Sequence, residues 1–151
     1  EMRTAVLGAA EHADAVVMAA AVADFRPARP AREKLKKELG PPELRLEATP
    51  DILAELGARR RAGLVLVGFA AETAGAGDVL EAGRGKLAAK GLDLLVVNEV
   101  GRPGTGFGAE TNRAAILGSD GSEEPLREWT KAELARAICD RLAALLARPV
   151  R

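Results

Sequence analysis

Apolar residues gather into three continuous runs: "ADAVVMAAAVADF" (Ala13 to Phe25), "LVLVGFAAET" (Leu64 to Thr73) and "DLLVVNEV" (Asp93 to Val100). None alternates strictly with polar positions, and each carries polar side chains within its last three residues. That pattern predicts strands covered on both faces, as in a parallel sheet. Around and between the runs the spacing turns helical. Residues 1 to 12 carry Met2, Val6, Leu7 and Ala10 at helical intervals. Thr49-Pro50-Asp51 reads as a helix start, with a capping hydroxyl, a proline suited to the first turn and an acid favoured by the helix dipole. Ile52, Leu53 and Leu56 then give that helix its buried face. A third helix is predicted over about Asp78 to Lys90, stopped by Gly91. The last is marked by Thr130 and Glu133 as a capping box and by Trp129 and Leu134 as a hydrophobic staple. Its stripe runs through Leu134, Ala137, Ile138, Leu142, Leu145 and Leu146, and Pro149 is its expected end.

Two segments fall outside this alternation. Glu43 to Thr49 reads as a short strand after a basic loop, and Arg113 to Leu126 as an edge hairpin turning at Ser119 to Ser122. The stretch from Asn98 to Asn112, rich in glycine, is expected to be a mobile loop. Strands alternating with helices predict an α/β fold: a Rossmann-like, open, mostly parallel sheet flanked by helices, with an edge β-hairpin, in a single domain over residues 1–151. In such sheets ligands sit beyond the carboxyl ends of the strands. Asp24, closing the first run, is therefore expected near Glu72, Thr73, Asn98 and Glu99.

Composition narrows the field. At 151 residues, with 48% apolar and 29% charged positions, the chain suits one core. The 22 basic and 22 acidic residues balance, so net charge gives no reason to expect a nucleic-acid or membrane partner. A single cysteine, Cys139, excludes an internal disulfide, and a single histidine, His12, argues against an imidazole zinc site. No apolar run approaches the roughly 20 residues of a bilayer span, and nothing resembles a signal peptide. A reduced, cytoplasmic protein is expected. The chain opens at Glu1 inside a helical pattern, which reads as a fragment or an excised domain.

Candidate chemistry lies at the strand ends and on lysines. Asp24 could hold a divalent cation or a nucleotide hydroxyl, or could be a turn residue. "REKLKK" places Lys34, Lys36 and Lys37 in a basic run, either a solvated loop or ammonium groups aimed at phosphates. Phe69, flanked by Gly68, Ala70 and Ala71, is a core aromatic or one that packs on a base, the small neighbours permitting close backbone approach. Lys86 and Lys90 share a helix face, turned to solvent or to a triphosphate. Neither GxxxxGK[ST] nor a GxGxxG directly after a strand occurs, so a Walker ATPase and an ordinary dinucleotide fingerprint lack support.

Taken together, "AAAVADFRP…EKLKK" (Ala19 to Lys37), "TPDIL" (Thr49 to Leu53), "GFAAET" (Gly68 to Thr73), "KLAAKGLDLLVVNEV" (Lys86 to Val100) and the later Phe107, Thr111 and Asn112 resemble the bacterial phosphopantothenate–cysteine ligases in order and spacing. The resemblance spans nearly the whole chain. It implies a CTP-dependent ligase of coenzyme A biosynthesis that joins 4′-phosphopantothenate to L-cysteine through an acyl-cytidylate, with Mg²⁺. It assigns CTP contacts to Ala20, Ala21, Asp24, Lys34, Pro50, Asp51, Ile52, Leu53, Phe69, Lys86 and Lys90. Lys34 is implied to be the catalytic lysine and Asp24 a link to the metal. A homodimer is implied too, with the 113 to 126 hairpin as a pairing edge. FMN would enter only if a flavin-dependent decarboxylase domain is fused. The family's Gly-rich opening segment, "GNxSSGxxG"-like, is not found here, so the isolated stretch is expected to keep part of its CTP contacts and to lose or impair catalysis. The rivals are a non-catalytic nucleotide-binding fragment, a dinucleotide-dependent reductase and a bare structural module.

Overall fold

The computed structural model describes residues 1–31, 33–36, 40, 42–73, 78–101 and 110–148. In chain order the elements are α1 (Met2–Ala10), β1 (Ala15–Met18), β2 (Phe25–Pro27), β3 (Leu46–Ala48), α2 (Ile52–Arg59), β4 (Val65–Thr73), α3 (Val79–Ala89), β5 (Leu94–Val100), β6 (Thr111–Gly118), β7 (Glu123–Thr130) and α4 (Lys131–Leu146). They fall into two compact units, Glu1–Ala19 with Ile52–Arg151, and Ala20–Asp51.

The first unit is a five-stranded sheet in the order β1-β4-β5-β6-β7. β1, β4 and β5 pair in parallel, while β6 is antiparallel to both β5 and β7 and so alone runs against the rest. Residues alternate across the two faces, and both faces are covered, which is why the runs read as continuously apolar. Leu66, Leu95, Val97 and Leu117 pack with Ile52, Leu53 and Leu56 of α2 and Leu87 of α3; Val6 and Leu7 of α1 join them. On the opposite face Val65, Val67, Leu94, Val96, Ala114 and Ile116 pack with Trp129 and with Leu134 and Ile138 of α4. Approach is close on the α3 side: a Cβ at Gly83 would lie 2.6 Å from Val97 Cγ2.

Helix ends follow the sequence signals. The Asp78 carboxylate accepts from the Leu80 and Glu81 N–H groups at 2.8 and 3.3 Å, and Gly91, at φ +61°, turns the chain out of α3. At α4 the Thr130–Glu133 capping box is complete. Trp129, just before it, donates its indole N–H to the Ala114 carbonyl at 2.8 Å. The helix ends at Leu146, before Pro149, which lies outside the described residues. The hairpin turns over residues 119–122 as expected, with longer arms. Most of the expected mobile loop over 98–112 also lies outside the described residues.

Two expectations are corrected. The first apolar run is not one strand. Only Ala15–Met18 joins the sheet, Ala19 to Asp24 are exposed, and Phe25 opens β2. Alanines dominate the middle of that run and remove little area from water, so burial does not hold it to the sheet. Asp24 accordingly does not close a sheet strand. Thr49 is not the α2 cap either. The helix begins at Ile52, and the Thr49 hydroxyl donates to the Ala23 carbonyl.

That bond belongs to the second unit, a two-stranded antiparallel ribbon pairing Phe25 with Ala48, Arg26 with Glu47 and Pro27 with Leu46. The Thr49 N–H donates to the Asp24 carbonyl at 2.8 Å, and Arg26 Nε sits 2.7 Å from Glu47 Oε1. Phe25, Leu44 and Leu46 remain 62%, 65% and 60% exposed. Among the described residues no helix is long and apolar enough to cross a membrane.

Candidate functional site

A step in the sheet defines the most distinctive place in the first unit. The β1–β4 ladder stops at Met18 and Gly68, yet β4 continues from Phe69 to Thr73, held on its other side by β5. Along that stretch the edge of β4 facing β1 has no strand partner among the described residues. Ala70 and Ala71 lie along it, and beside such small side chains another molecule can approach the backbone closely. The step lies at the carboxyl end of a parallel sheet, where ligands of open α/β folds bind.

On the α3 face of the same end stands a row of four charges. Glu72 and Glu99 are register partners on β4 and β5, and Glu99 is in turn opposite Arg113 on β6. Lys86 of α3 places Nζ 2.5 Å from Glu72 Oε1, and Arg113 Nε lies 2.7 Å from Glu99 Oε2. Two carboxylates side by side would repel; here each has its own cation. Burial is graded. Glu99 is 6% exposed and the Glu72 side chain 17%, while those of Lys86 and Arg113 are 47% and 38% exposed. The acids stand behind and the bases in front, so the row presents positive charge to solvent.

The expected residues distribute as follows. Ala20, Ala21, Asp24, Lys34, Pro50 and Asp51 belong to the second unit, and Ile52, Leu53, Phe69, Lys86 and Lys90 to the first. Asp24 and Lys34 are exposed, as are Ala20 and Ala21. Ile52 and Leu53 open α2 with side chains buried in the core, which leaves the backbone of that first turn as their means of touching a ligand. Phe69 packs with the cluster on the α4 face, whereas Lys86 stands on the α3 face against Glu72. The structure therefore does not bring the Phe69 ring and the Lys86 ammonium together on one face. Both border the step, Phe69 at its start and Lys86 through Glu72 near its end. Lys90 closes α3, its carbonyl packed on Gly57 of α2. Thr73, Asn98 and Glu99 cluster with Glu72 as expected, and Asn112 Nδ2 reaches Asn98 Oδ1 at 3.5 Å on the opposite face. Sequence reasoning named Glu72 but missed its pairing with Lys86, and missed Arg113. Strand parity carried the signal, because Glu72 shares its face with Leu66 and Ala70, toward α3.

Comparison with known proteins identifies the family and the fold. The family model described as the DNA/pantothenate metabolism flavoprotein C-terminal domain matches residues 1–146. The coenzyme A biosynthesis bifunctional protein CoaBC of Bacillus subtilis (strain 168) is 44% identical over 145 residues, covering 96% of this chain and 35% of that protein. The protein of the same name from Mycobacterium tuberculosis (strain ATCC 25618 / H37Rv) is 46% identical over 154 residues, covering 97% of this chain and 37% of its own length. A crystal structure of the C-terminal domain of a coenzyme A biosynthesis bifunctional protein CoaBC superposes with a TM-score of 0.73 at 30% identity, covering 96% of this chain and 61% of that one. The chain thus spans about a third of the length of these curated relatives.

Proposed function

This chain belongs to the family of DNA/pantothenate metabolism flavoprotein C-terminal domains, and from that premise we propose that it forms most of a phosphopantothenate–cysteine ligase domain. The reaction joins 4′-phosphopantothenate to L-cysteine with CTP, as a step of coenzyme A biosynthesis. The observation that carries the reading is the step beyond Gly68 with the exposed Lys86 ammonium at its border. It combines an open backbone edge with positive charge, which suits a nucleotide triphosphate. The names of the relatives at 44% and 46% identity support the coenzyme A biosynthesis part of the reading.

A carboxylate is a poor acyl donor until one of its oxygens belongs to a good leaving group. In the proposed first step a carboxylate oxygen of phosphopantothenate attacks the α-phosphorus of CTP. The bond from that phosphorus to the bridging oxygen breaks, and pyrophosphate leaves with the electron pair. The cysteine amine then attacks the acyl carbon of the acyl-cytidylate, the carbon–oxygen bond breaks, CMP departs and the amine loses a proton. The protein's contribution is to hold two anions in contact, so positive groups must offset their repulsion. Lys34, Lys86 and Lys90 are assigned that work, with Lys34 the catalytic lysine. The backbone of Ala20 and Ala21, the α2 start from Pro50 to Leu53, and Phe69 are assigned to the nucleotide. Among the described residues no three or more His, Cys, Asp or Glu side chains converge as a metal cage. The donor set fits Mg²⁺ held through one carboxylate, Asp24, and the substrate phosphates; there the ion would neutralise phosphate charge. FMN belongs to the proposal only for a fused decarboxylase.

A homodimer accompanies the reading. The pairing edge first expected, β7, carries Pro125 with Glu123, Glu124, Arg127 and Glu128, features that discourage an added strand. Phe25, Leu44 and Leu46 on the ribbon of the second unit suit a covered surface better, since a two-stranded ribbon is marginal alone.

The test is pyrophosphate release with CTP, phosphopantothenate and cysteine, in the complete gene product containing these 151 residues. Turnover is expected, with a loss on the order of a hundredfold in Lys34→Gln. Unchanged turnover in the variant removes the assigned mechanism. CTP binding without pyrophosphate release in the parent favours the non-catalytic reading instead.

A further inference from the structure

We infer that Glu72 is a positioning residue that holds the Lys86 ammonium ready for nucleotide phosphate; this rests on the reading that Lys86 binds CTP. Two adjacent carboxylates, Glu72 and Glu99, could both compete for one lysine. Arg113 takes Glu99 at 2.7 Å, and Lys86 is left to Glu72 at 2.5 Å. The pairing is therefore assigned by the neighbours on each strand rather than left to chance.

Geometry then fixes which side of the ammonium faces out. The Glu72 side chain is 17% exposed and that of Lys86 is 47% exposed, so the acid lies behind the base. An ammonium carries three N–H donors. One is engaged by Glu72 from the protein side, and the others remain on the solvent side, where a phosphate oxygen arrives. Helical side chains lean toward the helix amino terminus, and for α3 that end follows the carboxyl end of β4, so Glu72 draws Lys86 in the direction its backbone already favours. An unrestrained lysine samples many rotamers and loses that freedom on binding. Glu72 orders the side chain before the ligand comes, which is preorganisation.

CTP affinity, measured calorimetrically with Mg²⁺ on the complete gene product, tests the inference through a double-mutant cycle. Glu72→Gln removes the charge at nearly constant shape and is expected to weaken CTP on the order of fivefold. Glu72→Asp keeps the charge one methylene shorter and is expected to recover part of the loss. In a Lys86→Ala background Glu72→Gln is expected to change nothing further, an outcome that a merely structural role for Glu72 would not produce. Unfolding midpoints of all variants identify any that fail to fold. If Lys86→Ala weakens CTP but Glu72→Gln leaves affinity unchanged, tightens it, or adds its own loss in the Lys86→Ala background, the positioning role is overturned while the nucleotide reading stands. If Lys86→Ala binds CTP as well as the parent, the nucleotide role of Lys86 falls, and the inference with it.

Discussion

One substitution, glycine to alanine, should have opposite effects at two helical positions, because only one of them touches backbone. At Gly57 in α2 an added Cβ would lie 1.9 Å from the Lys90 carbonyl oxygen, and side-chain carbons essentially never come closer than 3.0 Å. Either α2 or the end of α3 must move by about 1 Å. The end of α3 is poorly placed to yield. The Lys90 N–H is bonded to the Lys86 carbonyl at 3.1 Å, the Gly91 N–H to Ala88 at 3.1 Å and the Leu92 N–H to Leu87 at 3.0 Å. Gly91 itself is at φ +61°. Overpacking of this kind costs about 1–3 kcal/mol, and the rigid backbone partner points to the upper end. The alanine returns up to about 1 kcal/mol of helix propensity. Gly57→Ala should therefore destabilise by about 2 kcal/mol net, lowering Tm by roughly 4–8 °C. At Gly85, in mid-α3, nothing lies within 4 Å of the added carbon. There the propensity acts alone, stabilising by about 0.5–1 kcal/mol and raising Tm by roughly 1–4 °C. Thermal and urea unfolding of both variants beside the parent give the measurement. A neutral or stabilising Gly57→Ala would refute the claim that α2 packs directly on the Lys90 turn.

Two further outcomes follow from other places in the chain. The Asp120 carboxyl is held well below the usual carboxylate range, chiefly by the Ser122 hydroxyl, then by Arg148 and the Ser122 N–H. A depressed carboxylate stabilises the fold above its unfolded value, about pH 4, and that contribution is lost as pH falls toward the lower folded value. The urea midpoint of Asp120→Asn should trail the parent at pH 7 and close on it below about pH 4; a gap that stays constant with pH contradicts the assignment. Replacing Phe25 and Leu44 together by serine should halve the sedimenting mass if the ribbon is the dimer surface, and a dimer that survives the double change places the interface elsewhere.

The strands and helix ends were legible because short-range physics sets them. Asp78 before Val79, Gly91 after Lys90 and Thr130 with Glu133 each satisfy helix-end groups within a turn, so a few residues of sequence suffice. β4 and β5 were readable because burial on both faces writes an unbroken apolar run. The same rule misled at the first run, where apolar letters continue past Met18 into alanines that gain too little from burial to extend the sheet. Thr49 failed for a different reason. A hydroxyl can cap a helix or tie down a loop, and the choice depended on where the chain from Ala23 returned, a contact between residues 26 apart.

The candidate site was legible as residue types but not as an arrangement, and the missing information was the relative length of two strands. From the sequence, Phe69 lies within an apolar run and reads as core, while Lys86 lies on a helix and reads as solvated. Parity separates them further, because Phe69 shares its face with Val65 and Val67, and Lys86 reaches Glu72 on the other. A ligand confined to either face could meet only one of them. What joins them is that β1 ends opposite Gly68 and β4 does not. Past that point the sheet has an edge, and a molecule lying along an edge borders both faces at once. Ala20 and Ala21, and Lys34 beyond them, follow in sequence where β1 stops, so the chain that ends the ladder is also the chain assigned to the nucleotide. The short strand Ala15–Met18 is what leaves this edge of β4 unpaired by β1. A longer β1 would fill the step and leave Phe69 and Lys86 on opposite sides of a closed sheet.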